Sequence, residues 1–383
     1  MAASARGSTA RCPEHVARGA PLAPLLRPRG RRRAAAVRVA GAGAPVVLVQ
    51  DGQLVASPPA SPQELLAQQR AWSYTTALAP GGDGCRVVDW PLHLRRLARN
   101  VELLGEQRPP AYAPFLAWLR EQPPGTSAAG AIDRLVRGQV AAALRQLAAQ
   151  PPEQGLAEEA RAMVAVVLTD PQPPQPPQSP PLSVLVWAKR LPPAGAAPRP
   201  ARVLVAGAPR PLAGAKHCDW VVARAPLEAA KAQAGADEVL LADGRGALLE
   251  GLVNNWFVVA DAAALGAQDS QPGAARAGGG VAGLVLLTAA EGDAALPGVA
   301  QQRVLQAAAA VGLAVERRPP LAAEAHAWRE AFLTNAVRGI QPVGHVQLAP
   351  GRAWEPPPGS GAVTALLQRA LAEAQEVADL GDA

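Results

Sequence analysis

The sequence predicts an α/β (α+β) protein of two domains, and three observations carry that prediction. Strand-like apolar runs alternate with segments of helical period along most of the chain. A proline-rich break at 171–181 interrupts the pattern and a composition change follows it near 191–200. The 383 residues, 49% of them hydrophobic, suffice for two modest cores plus extensions.

Taken in order, Val46 to Gln50 reads as a first strand, closed by the turn Asp51-Gly52. A helix is expected over 61–71, with Ser61 as N-cap and Pro62 at the first helical position. Strands follow at 71–78 and 85–88, joined by a hairpin turn at Gly81 to Gly84. No helix opening with Lys-Ser/Thr follows that turn, so it is not a phosphate loop. Apolar residues at 94, 97, 101 and 104 give 91–104 a helical period, and 128–148 form another helix. Strands are expected at 163–168 and 182–189, on either side of the proline-rich insertion.

The later part predicts strands at 202–206, 237–241, 247–250, 255–260, 284–288 and 331–334. A low-complexity insertion occupies 262–282. Helices are expected from Pro297-Gly298 to about Val311 and over 361–377. The expected organisation is a leader (1–45), an N-terminal domain (46–190), a C-terminal domain (200–350) and a tail with a helix (351–383). No internal repeat is visible.

The pI of 9.9 does not indicate a nucleic-acid partner. Nine arginines and one acid, Glu14, lie in residues 1–50, which therefore carry +8. The whole chain carries +6, so residues 51–383 carry about −2. An Arg- and Ala-rich, acid-poor leader reads as an organellar transit peptide, plastid first and mitochondrion second. No run of eighteen apolar residues predicts a membrane span. Cys12, Cys85 and Cys218 have neither metal-ligand nor disulfide spacing, so no metal is expected.

Lysine is scarce: of 37 basic residues only Lys189, Lys216 and Lys231 are lysine. Arginine replaces lysine in most surface roles but not in amine chemistry, because it stays protonated and delocalised. Lys216 lies in Leu212-Ala213-Gly214-Ala215-Lys216-His217. Glu250 follows 34 residues later, with Asn255 and Phe257 just beyond. Further on come Leu296-Pro297-Gly298-Val299 with Arg303, Gly312 and Glu316, then Phe332-Leu333-Thr334-Asn335. Upstream stand Tyr74-Thr75-Thr76 and His93-Leu94-Arg95-Arg96-Leu97.

Together, in this order, these segments resemble the class IV aminotransferases, which include branched-chain and D-amino-acid transaminases and aminodeoxychorismate lyase. The likeness spans roughly 46–350. It implies the two-domain fold of the fold-type IV pyridoxal 5'-phosphate enzymes, with a D-amino-acid-aminotransferase-like architecture, a homodimer and a small amino-acid or amino-carboxylate substrate. It assigns Lys216 the imine link to pyridoxal phosphate, Glu250 the pyridine nitrogen, and Arg96, Val299, Ala300 and Thr334 the phosphate. Asn255 belongs to the cofactor motif, and Tyr74 or Thr75 faces substrate. His93 reads as a helix-start residue and His217 as a residue oriented by the fold.

Two departures stand out. Ala300 occupies a position where family members often carry threonine, which removes a hydroxyl but not the backbone N–H. Cys218-Asp219 follows Lys-His where the lyase pattern has Leu-Asn. Transamination from a small amino acid to a 2-oxo acid is the leading expectation. Lyase chemistry on aminodeoxychorismate, favoured by Leu-Ala-Gly-x-Lys-His and Tyr-Thr-Thr, comes second. A cofactor-binding protein with little catalysis comes third.

Overall fold

The structure is a computed structural model, and it describes residues 45–69, 72–81, 84–151, 161–171, 180–192, 199–266 and 281–381. The leader, most of both insertions and most of the stretch 191–200 lie outside the described residues. Residues 43–383 group into one compact unit built on two large sheets.

The first part of the chain runs β1 (Val46–Gln50), β2 (Gln53–Leu54), α1 (Pro62–Gln68), β3 (Tyr74–Ala79), β4 (Arg86–Val88), α2 (Trp90–Gln107), α3 (Pro109–Arg120), α4 (Ala128–Ala148), β5 (Ala162–Thr169) and β6 (Ser183–Arg190). Asp51 (φ 47°) and Gly52 (φ 82°) form the two-residue turn that pairs β1 with β2. Ser61 caps α1 by accepting from Glu64 N at 3.2 Å. The sheet has the order β2-β1-β6-β5-β3. One of its faces packs on α2 and α4 through Val47, Val49, Val164, Val166, Leu97 and Val140, all buried.

The second part runs β7 (Ala201–Val205), α5 (Asp219–Ala223), α6 (Ala225–Gln233), β8 (Glu238–Ala242), β9 (Leu248–Gly251), β10 (Asn255–Asp261), β11 (Leu284–Leu287), α7 (Val299–Ala310), β12 (Ala314–Glu316), β13 (Trp328–Asn335), β14 (Gly339–Ala349), β15 (Arg352–Trp354), α8 (Ala362–Ala374) and β16 (Val377–Asp379). Pairings β10-β13-β14-β7-β8-β9 return to β10, so these strands close into a barrel-like ring. The closing contact is one residue pair, Asn255 opposite Glu250.

Strand alternation explains why β10 is apolar on both sides. Trp256, Val258 and Ala260 join one core with Trp328 and Trp354. Phe257 and Val259 face the other way, against α7 and α8, where Phe257 stacks on Phe332 at 4.9 Å.

Several expectations need correction. β3 and β4 do not form a hairpin: β4 pairs with β16, at the other end of the chain. Gly82 and Asp83 of the expected turn lie outside the described residues. The last helix stops at Ala374, because Val377–Asp379 are drawn into that ladder. The helix α3 went unanticipated, since three prolines mark its sequence as a breaker. Two of them stand in its first turn, where their missing N–H is not needed.

Candidate active site

The site is assembled on three supports, and the first is α2. Its residues His93, Arg96 and Asn100 fall at i, i+3 and i+7, on one face beside the apolar stripe that packs in the core. Asn100 holds both backbone groups of Lys216: Oδ1 accepts from its N–H at 3.0 Å and Nδ2 donates to its carbonyl at 3.3 Å. Tyr74 N also donates to the Lys216 carbonyl, at 3.2 Å, and Cys218 N to Trp72 O at 2.9 Å. The segment 216–218 is thereby tied to the start of β3.

The second support is Arg210, which sequence reasoning missed because arginine is common here. Its Nη1 donates to Ala215 O at 3.1 Å and its Nη2 to Ala213 O. Its Nε donates to Glu250 Oε1 at 2.6 Å, with both side chains about 95% buried. One guanidinium thus joins the turn before Lys216 to the acid. The other Glu250 oxygen accepts from Leu296 N at 2.9 Å.

The third support is Glu238, buried at the start of β8. Its carboxylate accepts from Leu252 N (3.2 Å), Val253 N (3.4 Å) and the Asn254 side-chain amide. These bonds fix the turn directly after Glu250. A Cβ on Gly251 would stand 2.9 Å from the Glu238 carboxylate, so only glycine fits there.

A cavity between these supports is lined by Lys216, Glu250, Tyr74, Asn255, Arg210 and His217, among others. The Lys216 ammonium position lies 4.7 Å from the centre of the Tyr74 ring. Among the described residues, the amine makes no hydrogen bond or ion pair. Burial first, then Arg96, Arg224 and Arg210, push its pKa well below the ordinary lysine range, while Glu250 pulls the other way. Burial also lowers Arg96 to about 10, which leaves it charged at neutral pH.

Of the other residues singled out in the sequence, Asn255 lines this cavity, whereas Thr75, His93, Arg96, Val299, Ala300 and Thr334 are not among its lining residues. Thr75 is fully buried and its hydroxyl bonds Arg96 and, at 2.8 Å, His93 Nδ1, so it positions Arg96 and does not face the cavity. His93 is likewise part of this network; burial, then Arg96 and Lys216, lower its pKa well below the usual range. Among the described residues, Arg96 Nε is buried without a hydrogen-bond partner. Val299 and Ala300 are the first two residues of α7, where N–H groups have no acceptor within the helix. Asn255 donates to Leu296 O at 2.7 Å, and a Cβ on Gly298 would come within 2.0 Å of its Oδ1. Its amide therefore sets the turn that presents α7. Thr334 is buried and donates to Gly339 O at 2.9 Å.

His217 lines the cavity with both ring nitrogens buried. Burial and then Arg210 lower its pKa to about 4, against smaller raising contributions from Asp219 and the Pro211 carbonyl. Between that value and 6.5 the unfolded chain binds the proton that the folded chain refuses. Stability is therefore present above pH 6.5 and lost as pH falls toward 4, by about 3 kcal/mol at most from this group. Urea melts from pH 4 to 7 should show that fall, and His217→Phe should flatten it. An unchanged slope would contradict the assignment.

Comparisons with known proteins identify the family. Residues 74–346 match the family model described as amino-transferase class IV. The chain therefore belongs to the class IV aminotransferase family. Among solved structures it is similar to a hypothetical aminotransferase from Mycobacterium tuberculosis in its PLP-bound form, with 18% identity and a TM-score of 0.57 over 86% of this chain and 99% of that one. It is also similar to a fold IV transaminase from Curtobacterium pusillum, with 20% identity and a TM-score of 0.56 over 86% and 99%. A third is the branched-chain aminotransferase from Thermoproteus uzoniensis with norvaline, with 18% identity and a TM-score of 0.54 over 87% and 99%. The shared fold is that of fold-type IV transaminases. The comparison with curated proteins gives no match.

Proposed function

We propose that the protein is a pyridoxal-phosphate-dependent aminotransferase that moves the amino group of a small amino acid to a 2-oxo acid. One observation carries the reading. A desolvated, unpaired lysine amine and a buried carboxylate line the same cavity, with three arginines around the amine.

The residues present fit the cofactor. Arg96 Nε is an orphaned buried donor, and the start of α7 offers unpaired N–H groups, so both suit a phosphate. Glu250 uses one site on each oxygen and retains capacity to accept from a pyridine N–H. When bound, pyridoxal phosphate supplies an aldehyde that takes up an amine and a ring that absorbs the electron pair of the substrate's α carbon.

The protein's own part derives from the geometry. Lys216 Nζ, whose pKa burial and then Arg96 lower, would act as nucleophile and carry the proton removed from the α carbon. Glu250 would hold the ring nitrogen protonated, and Arg210 holds Glu250 in place. Arg96, Val299 and Ala300 would bind the phosphate, with Thr75 orienting Arg96. Tyr74 walls the cavity and excludes water from the amine.

Borohydride treatment of the pyridoxal-phosphate-loaded protein, with peptide mapping, tests the lysine. The expected result is a pyridoxyl group on Lys216; modification of Lys189 or Lys231 would overturn the site. Amino transfer between an amino acid and a 2-oxo acid, with double-displacement kinetics, tests the reaction. Release of pyruvate and 4-aminobenzoate without any acceptor acid would replace it by the lyase reading.

A further inference from the structure

We propose that Asp89 is a positioning residue for the phosphate site, and that residues 376–380 form a strap that holds it there. This rests on the pyridoxal-phosphate reading above.

Asp89 is buried between β4 and α2, and it adopts a left-handed φ of 54° without being glycine. Such strain persists only where the surroundings over-determine a residue. Here they do. Its carbonyl accepts from Leu92 N at 2.9 Å and His93 N at 3.2 Å, which starts α2. Its carboxylate reaches α7, where Oδ1 accepts from Arg303 Nε at 2.8 Å and lies 2.7 Å from Nη2. Arg96 follows seven residues after Asp89 on α2. Val299 and Ala300 precede Arg303 on α7 by four and three residues. The two donor sets proposed for the phosphate therefore meet through one ion pair, which spans 214 residues of sequence.

The strap closes over that pair. Glu376 O accepts from Asp89 N at 2.7 Å, and Glu376 N donates to Asp89 Oδ1 at 3.4 Å. The Glu376 carboxylate adds a 3.2 Å contact to Arg303, but it is 67% exposed and contributes little alone. The strap is held instead by residues 377–380. β16 pairs with β4 from Arg86 to Val88, Leu380 N donates to Cys85 O at 2.9 Å, and Leu380 is buried in the core under α2. Upstream, Glu330 fixes the start of α8 by accepting from Gly361 N, Val363 N, Thr364 N and Thr364 Oγ1. The strap is thus anchored at both ends, and neither anchor lies in the cavity.

The experiment is a pyridoxal-phosphate titration of the full-length apo-protein, read by absorbance well below its melting temperature. Asp89→Asn keeps the size and tolerates the left-handed backbone but removes the charge. Leu380→Asp releases the strap, and limited proteolysis reports that release. Each variant should weaken cofactor binding about tenfold, the order by which loss of a supporting group weakens a bound site. Leu348→Ala, in the barrel core that takes no residue from α2, α7, α8 or the strap, serves as control and should lower the melting temperature without changing Kd. If Leu380→Asp fails to fold, Asp89→Asn decides. Wild-type affinity in folded Asp89→Asn would overturn the proposal, as would an equal loss in Leu348→Ala. Wild-type protein that binds no pyridoxal phosphate would instead overturn the cofactor reading itself.

Discussion

Replacing Lys216 with arginine should lower turnover by about 10³-fold, inside the range of roughly 10²–10⁴ for losing a positioned proton-transfer group. Arginine keeps most of the length. It cannot shed its proton at working pH, so neither nucleophile nor base remains. The backbone at 216 is held by Asn100 and Tyr74, and that hold does not involve the side chain. The fold should therefore survive, and circular dichroism should match wild type. Single-turnover amino transfer measures the effect. Retention of more than a tenth of the wild-type rate would remove Lys216 from the chemistry.

The second large effect is on stability. Arg210→Met should destabilise the protein by about 3–5 kcal/mol, because it leaves the Glu250 carboxylate buried without its cation. It also strips the Ala213 and Ala215 carbonyls of their donors. The double variant Arg210→Met with Glu250→Gln should recover part of that loss, since no lone charge is then buried. Urea melts of the four proteins give the coupling directly. A second readout is chemical. Arg210 is one of the cations that lower the Lys216 amine, so its removal should move the acid limb of the pH–rate profile upward. Additive stability losses with an unmoved profile would show that Arg210 does not clamp Glu250 to the turn before Lys216.

Most strands could be read from the sequence because burial on both faces leaves dense apolar runs, as in β5, β6 and β10. Helices with clean caps or periods, α1, α2, α4 and α7, were equally legible. What escaped were segments whose structure depends on distant partners. β16 is three residues long and exists because β4 offers it a ladder. α5 and α6 are short and lack an apolar stripe, so nothing local announces them.

The candidate site divides in the same way. Lys216 and Glu250 were visible because the segments around them resemble those of the class IV aminotransferases, and because lysine is rare here. Arg210, Asn100, Glu238 and Asp89 were not, because each acts through a contact made only after folding. Arg210 is one arginine among many, and Asp89 reads as an ordinary helix-start acid. The choice between Tyr74 and Thr75 was open in the sequence for a related reason. A strand places alternate residues on opposite faces, and the sequence alone does not say whether Tyr74 or Thr75 turns toward Lys216.

The single pairing of Glu250 with Asn255, which completes the ring of strands, narrows the protein's evolutionary options. One position closes the ring and, on the proposed reading, would also support the cofactor's pyridine nitrogen, so a change tolerable to one duty must also satisfy the other. Neighbouring Gly251 adds a third veto, because Glu238 leaves it no room to grow. Lineages seeking new substrates would find little freedom at this seam. Diversification is thereby steered to walls supplied by other elements, such as the start of β3 and the segment after Lys216, where a side chain can change without reopening the barrel.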